Sequence, residues 1–415
     1  MTGPAGPSLK SAARATDVLV AGAGVCGLSV ALGFADAGFD TVLAGAPEQL
    51  AAGRTVALLD GSVRFLSRLG VADDLEKAGA PLRSLRLIDA TGSLWRAPTI
   101  EFHAEEIGLP CFGWNIENAK LANVLAKEAA RRDRLTLSPG RILAYEWGAD
   151  SALARSEDGS VFSAGLIVAA DGRNSPARAA AGIATRVRKL EQEALTAIVA
   201  HSRPHNACST EFHTREGPFT LVPLPGEDDG WPRSSLVWVM PRRQATRRMA
   251  LDEASLAREI EFQAQSIYGA MRVAGGRGAF ALTSQRAARL VGPRLALVGD
   301  AAHVLPPIGA QGLNLGLRDA AWLIETSRAA RGAGADFGAP QSLARYEASR
   351  RGDVALRSGA IEALNSSLIA DFAPADIARS LGLAALGTIG PLRRFAMREG
   401  VSPGLATPAV MRREG

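Results

Sequence analysis

The sequence predicts an α/β fold: a Rossmann-like, doubly wound parallel sheet, an interleaved antiparallel β-sheet domain and a helical C-terminus. Three observations carry this expectation. A short apolar run over 17–21 leads straight into Gly22-Ala23-Gly24-Val25-Cys26-Gly27 and then a helical stretch, the strand–turn–helix opening of a βαβ unit. Two more apolar runs, 166–170 and 295–298, are each followed by a Gly/Asp pair. Between them, from about 186 to 280, strand-like pieces alternate with turn-rich gaps, the pattern of antiparallel sheet.

Bulk properties narrow the class. A chain of 415 residues suits two interleaved domains. Hydrophobic residues make up 47% and charged residues 21%, enough for a large globular core. The net charge of +5 is spread along the chain rather than clustered, so a nucleic-acid partner is not expected. Cys26, Cys111 and Cys208 form no CxxC pair, which argues against a disulfide framework and against a metal site. Residues 1–10 lack the basic-then-apolar order of a signal peptide, and 1–15 are expected to be a disordered leader. Residues 18–35 are uncharged and long enough to mimic a membrane helix. Glycines at 22, 24 and 27 place a turn inside that stretch, so no transmembrane span is expected.

The elements follow in order. A strand over 17–21 precedes a helix over 28–37, stopped by Gly38, and a second strand over 41–44. Short helices are expected over 62–69 and 73–78, and strands over 85–88 and 94–100. Leu121, Val124, Leu125 and Ala129 share one face of a helix over 119–131. Short strands fill 135–169, with Asp158-Gly159 as a turn. The middle region offers strands at 195–200, 219–222 and 236–239 and one helix at 251–268. A buried strand at 295–298 and a helix at 309–329 return to the first pattern. Ile361, Leu364, Leu368 and Phe372 mark an apolar helical stripe beyond.

Four motifs carry chemistry. In Gly22-x-Gly24-x-x-Gly27, the first glycine permits a tight turn, the second a close approach of backbone to a pyrophosphate, the third close helix–strand packing. The helix N-terminus behind it favours phosphate. An acid normally follows about 20 residues on to hold a ribose; that place falls at Gly45, with Glu48 the nearest acid. Asp171-Gly172-Arg173-Asn174-Ser175-Pro176-Ala177-Arg178 and Gly299-Asp300-Ala301-Ala302-His303 sit at strand ends, where open α/β sheets bind ligands. Carboxylates there suit sugar and ribityl hydroxyls; an Asx-turn is the plainer alternative. Pro306-Pro307-Ile308-Gly309-Ala310-Gln311-Gly312-Leu313-Asn314 opens a helix whose N-terminus would stabilise negative charge.

These motifs, in this order over roughly 16–350, resemble the group A flavoprotein monooxygenases, the aromatic hydroxylases. Gly113-Trp114-Asn115-Ile116-Glu117-Asn118, the stretch Gly217 to Leu224, Asn314 to Asp319, Tyr346-Glu347 before Arg350-Arg351, and Leu364-Asn365 are similar to the ubiquinone-biosynthesis hydroxylases. The resemblance implies an FAD-binding domain of the glutathione-reductase/p-hydroxybenzoate-hydroxylase type over 16–75, 101–185 and 281–350. It implies a substrate domain over 76–100 and 186–280, and a helical region over 351–415. It implies bound FAD, NAD(P)H and O2 as co-substrates, and oxygen transfer to a phenol through a C4a-hydroperoxyflavin. Gly22, Gly24 and Gly27 match the pyrophosphate loop, and Arg54 an arginine near the FAD. Asp171 and Gly172 match the second fingerprint and Asp300 the ribityl contact. Gly309, Gln311, Gly312, Leu313 and Asn314 match the loop beside the isoalloxazine. Where many relatives have His-Pro and Ala-Gly-Gln-Gly, this chain has Pro306-Pro307 and Gly309-Ala310-Gln311-Gly312, so the loop is expected with a shifted backbone.

No general base is assigned. His303 is the weak catalytic candidate, with a structural role as the alternative. His201 and His205 read as strand-end or buried hydrogen-bonding residues, and Cys26 as a packing residue inside the phosphate loop. Arg242, Arg243, Arg247 and Arg248 read as a solvated face. The apolar stretch 381–395 reads as a helix packed on the body, with peripheral docking to an inner membrane or a biosynthetic complex as the alternative for a cytoplasmic protein. The substrate expected is a polyprenylphenol of ubiquinone biosynthesis. Another small aromatic or polyketide, or a catalytically weak accessory subunit, are the competing readings.

Overall fold

The computed structural model describes residues 13–46, 53–92, 97–227, 229–307, 309–369 (backbone only for 364–369), 382, 384–401 and 407–413. Three sheets organise them. The first is the parallel one. Strands β1 (Arg14–Ala21), β2 (Thr41–Ala44), β8 (Leu135–Ser138), β11 (Val161–Ala169) and β18 (Leu295–Leu297) lie in the order β18-β11-β1-β2-β8. Their pairings are all parallel. The edge hairpins β9 (Ile142–Trp147) with β10 (Ala152–Ser156), and β17 (Val291–Gly292) beside β18, are antiparallel. Leu166 to Ala169 and Leu295 to Val298 have no exposed surface, as a parallel sheet covered on both faces requires. Helix α1 (Val25–Asp36) covers one face together with α4 (Asn118–Ala129) and α8 (Gln311–Gly332).

The second sheet runs β19-β16-β12-β15-β14-β13-β5-β6. It comprises β5 (Ser84–Asp89), β6 (Ile100–His103), β12 (Thr185–His201), β13 (Cys208–Thr214), β14 (Gly217–Leu224), β15 (Arg233–Pro241), β16 (Met271–Ala287) and β19 (His303–Val304). One face packs Phe212, Phe219, Trp238 and Leu195 against Leu256 and Ile260 of α7 (Glu253–Gln263). A third, small sheet of β3 (Thr55–Leu59), β7 (Gly113–Glu117) and β4 (Gly79–Pro81) lies between the other two. Thr55 Oγ1 donates to Ser235 Oγ at 2.8 Å, and Asn115 Nδ2 donates to Pro223 O at 2.9 Å, fastening it to the second sheet.

Several expected boundaries move. Strand β1 starts at Arg14, so Arg14 and Ala15 of the expected leader belong to the sheet. The division at 100/101 falls inside β6, and that at 280/281 inside β16. Gly79–Pro81 pairs in the small sheet rather than the second one. The division at 350/351 falls inside α9 (Pro340–Ile369). The strand expected over 94–100 begins only at Ile100; 94–96 lie outside the described residues. The helix expected over 251–268 is eleven residues long, capped by Asp252 Oδ1 accepting from Ser255 N at 2.8 Å. The arginine cluster forms a helix of its own, α6 (Arg242–Met249). In the apolar stripe Ile361 is buried, while the side chains of Leu364 and Leu368, and Phe372, lie outside the described residues. Among the described residues no helix is long and apolar enough to cross a membrane. Residues 18–35 divide into the end of β1, a glycine turn and α1.

Candidate functional site

The glycine turn sits where β1 and β11 part. Gly22 has φ +108, and a Cβ on it would lie 2.3 Å from Ala170 O. Only glycine allows both. A Cβ on Gly27 would lie 1.8 Å from Gly22 O, so α1 can close on the turn only at a residue without a side chain. Gly24 caps α1 with no side-chain hydrogen bond, which leaves the first N–H groups of the helix available. Gly45 answers the missing ribose acid. Its φ is +135, and a Cβ there would stand 3.2 Å from Ala23 N, inside the turn. The end of β2 is thus shaped for glycine, while Glu48 lies outside the described residues.

Asp171 follows β11. Its Oδ2 accepts from Ala177 N at 3.1 Å, while Oδ1 is buried without a partner among the described residues. Burial pushes its carboxyl pKa up, opposed by Ser175 and the Ala177 N–H. A buried acceptor left open is costly unless a donor arrives. Arg178 ties this motif to the next: Nη1 donates to Ala301 O at 2.8 Å and Nη2 to Arg173 O at 2.9 Å. Asp300 is reached by solvent yet crowded by protein, so burial raises its pKa, against the pull of His303, Arg173 and Arg54. Arg54 itself is exposed and stacks 4.9 Å over Phe280.

The loop before α8 completes the site. Gly309 and Ala310 both have positive φ, +63 and +55. The exchange of glycine and alanine noted in the sequence therefore puts an alanine into the left-handed region, at a cost of about 1–2 kcal/mol. Side chains hold the loop. Asn314 Nδ2 donates to Ala310 O at 2.6 Å and to Ala57 O at 2.8 Å, and Asn314 Oδ1 accepts from Leu59 N at 2.8 Å. Gln311 Nε2 donates to Gly309 O at 3.0 Å. Among the described residues, apart from chain neighbours and local helix backbone, no atom lies within 4 Å of where a Cβ on Gly172, Gly309 or Gly312 would stand. The DG turn and the first turn of α8 are thus open on their glycine sides. Leu313 is half-buried and packs on the main core.

His303 is buried and paired with a carboxylate. Its side chain has no exposure, and Nε2 donates to Asp319 Oδ2 at 2.6 Å. Asp319 also accepts from Gly299 N at 3.1 Å and from Arg350 Nε at 2.7 Å. Arg350 Nη1 and Arg318 Nη1 donate to Asp353 Oδ2 at 2.8 and 2.7 Å, and Arg357 Nε donates to Asp353 Oδ1 at 2.8 Å. Nearby arginines hold the Asp353 carboxyl well below the usual range despite burial. Cys26 lies against Gly299 and Gly316, and burial pushes its thiol far up, so it packs rather than reacts.

The glycine turn, the DG motif and the GD turn with α8 behind it thus meet at the carboxyl ends of β1, β11 and β18. The ionic network behind them was missed as a unit. Arg350, Asp353 and Arg357 lie three and four residues apart, a spacing that sequence alone assigns to a solvated helix face. His201 ends β12, buried and stacked 4.8 Å from Tyr268, and His205 lies edge-on to it at 5.9 Å with Nε2 against Leu224 O, so both are the strand-end, hydrogen-bonding residues that the sequence suggests.

Residues 15–354 match the family described as FAD binding domain. Ubiquinone hydroxylase UbiL of Rhodospirillum rubrum is 36% identical over 417 residues, covering 98% of this chain and 95% of that protein. The 3-demethoxyubiquinol 3-hydroxylase of Escherichia coli is 31% identical, covering 92% and 97%. Among solved structures, p-nitrophenol 4-monooxygenase PnpA of Pseudomonas putida superposes with a TM-score of 0.73 at 20% identity, covering 93% and 98%, a likeness of fold.

Proposed function

The chain belongs to the FAD-binding-domain family, with the ubiquinone-biosynthesis hydroxylases, and on that premise we propose that this flavoprotein monooxygenase hydroxylates the ring of a polyprenylated phenol. One observation carries the substrate class. Strand β3 serves two sides at once: Asn314 bonds to the backbone of Ala57 and Leu59. Their side chains meanwhile pack on an apolar cluster of Leu82, Ile100, Phe102, Phe112, Met397 and Val401. An apolar wall thus adjoins the loop that resembles the isoalloxazine contact, which suits an apolar ring and tail.

The residues present fit FAD. The glycine turn and the α1 N-terminus would hold the pyrophosphate. Asp171 and Asp300 would accept from hydroxyls, and the open acceptor on Asp171 Oδ1 is an observation in favour. The α8 N-terminus would favour negative charge on the reduced ring. The cofactor supplies the redox chemistry and activates oxygen. The balance is NAD(P)H, H+, O2 and a ring C–H giving NAD(P)+, water and a ring C–OH. The protein's part is to orient the phenol and exclude water.

The tail would come from a lipid surface. In and beside the helix Gly390–Val401, Ile389, Leu392 and Phe395 are exposed at 50, 42 and 64%, with Arg394 and Arg398 also exposed. An apolar stripe with flanking arginines suits a peripheral contact with anionic lipid.

The test is turnover by FAD-loaded protein with NAD(P)H and a short polyprenylphenol presented in vesicles, under isotopically labelled O2. The expected product carries one labelled oxygen on the ring and forms faster on anionic than on neutral vesicles. Turnover of unprenylated phenols alone would favour another small aromatic. NAD(P)H oxidation that no phenol stimulates would contradict the reading.

A further inference from the structure

Arg357 touches three elements at once. It projects from α9, where Nε donates to Asp353 Oδ1 at 2.8 Å. Nη1 donates to Gln311 Oε1, at the start of α8, at 2.6 Å. Nη2 donates to the backbone oxygen of Glu399, in the helix Gly390–Val401, at 2.8 Å. A guanidinium can serve three directions in one plane; an ammonium on a flexible stem cannot hold the same geometry.

What Arg357 holds is the loop carrying the two left-handed residues. Arginine offers only donors, so it fixes which end of the Gln311 amide faces it. The amide nitrogen is then turned to Gly309 O. Asn314 fastens the next carbonyl, Ala310 O. Without these two ties, Ala310 at φ +55 has a reason to relax.

The other end of the contact is the helix Gly390–Val401, which packs beside β3. Met397 and Val401 belong to the apolar cluster beside β3. Arg393 anchors the same helix, with Nε donating to Glu106 Oε2 at 2.6 Å. Arg357 therefore reads both the seating of that helix and the shape of the loop. Behind it, Asp353 is pinned by Arg318 and Arg350, so the guanidinium is braced.

We propose that Arg357 is a positioning residue for oxygen transfer: it sets the 309–314 loop through Gln311 when the Gly390–Val401 helix is seated, linking flavin chemistry to the packing of that helix on the apolar cluster beside β3. This rests on the reading that the loop borders the isoalloxazine. The link keeps oxygen on the path to the phenol. When it is lost, NAD(P)H, H+ and O2 give NAD(P)+ and H2O2 instead.

The experiment compares FAD-loaded wild type with Arg357→Met, Arg357→Lys, Gln311→Met and the Arg357→Met/Gln311→Met double variant. Three quantities are read: H2O2 released per NAD(P)H oxidised, the shape of the flavin visible band, and amide exchange in the Gly390–Val401 helix. Arg357→Met should keep FAD affinity within about threefold, oxidise NAD(P)H, and lose roughly tenfold in product per NAD(P)H. Its flavin band should change shape and helix exchange should rise, with Arg357→Lys between it and wild type. The double variant should be no worse than the worse single one. Gln311→Met, which leaves the buried network intact, carries the same coupling signature if Arg357→Met fails to fold. Coupling at the wild-type level in both single variants, or multiplying effects in the double, would overturn the proposal. Wild type that takes up no FAD would overturn the underlying reading with it.

Discussion

His201 is fully buried, and its partners choose its tautomer. Nδ1–H donates to Arg203 O at 2.7 Å, the Ser234 hydroxyl donates to Nε2 at 3.0 Å, and the ring stacks 4.8 Å from Tyr268. Burial pushes its pKa down to about 4. The unfolded value is about 6.5, so the folded chain refuses a proton that the unfolded chain accepts. Nothing is lost above pH 6.5. Stability then falls as pH drops toward 4, by on the order of 3 kcal/mol in total. His201→Gln should show a fall between pH 7.5 and 5 that is smaller by roughly 2 kcal/mol in urea unfolding. Equal falls in both proteins would refute the assignment. At this scale, what was legible was contiguous: Asp171 and Asp300 stand next to their glycines in sequence. The partners of Asp319 were not, since Arg350 is 31 positions away and reaches it only through the packing of α9 on α8.

Helix α8 shows what an element needs beyond its own propensity. It crosses the GD turn so closely that a Cβ on Gly316 would lie 2.9 Å from Gly299 Cα and 3.4 Å from Cys26 Sγ. Gly316→Ala should therefore cost about 1–3 kcal/mol and weaken FAD retention, because the α8 terminus would move with it. Gly332→Ala, where among the described residues nothing beyond its chain neighbours and own helix backbone lies within 4 Å, should not. Equal melting temperatures for the two variants would contradict the close crossing. Parallel strands were readable because each is a short apolar run buried on both faces. Strand β16 was not: Gly275, Gly276 and Gly278 look like a loop, and only pairing along β12, with its register shifts, makes a seventeen-residue strand of them. The arginines of α6 read as solvated. In the fold Arg248 is buried, bonded to Glu216 and Glu259 and stacked 4.0 Å from Trp238.

Across the whole molecule, the parallel sheet offers the cofactor motifs, the second sheet supplies a surface beside them, and the small sheet β3-β7-β4 joins the two. Strand β19 makes the same junction from the other side, since His303 and Val304 follow the GD turn and pair with β16. The order of motifs in sequence disclosed the first sheet and the cofactor. The joinery by Thr55, Asn115, Ser235 and Asn314 was hidden, because each bond spans more than a hundred residues. On the proposed function, three separate strand ends form one FAD site. The most direct measurement is the FAD dissociation constant of Asp300→Ala beside wild type, by flavin fluorescence. Losing one charged hydrogen-bond acceptor at the ligand should weaken binding by about ten- to a hundredfold, with the melting temperature of the FAD-free protein unchanged. An unchanged dissociation constant would leave Asp300 as a turn residue and contradict the shared site.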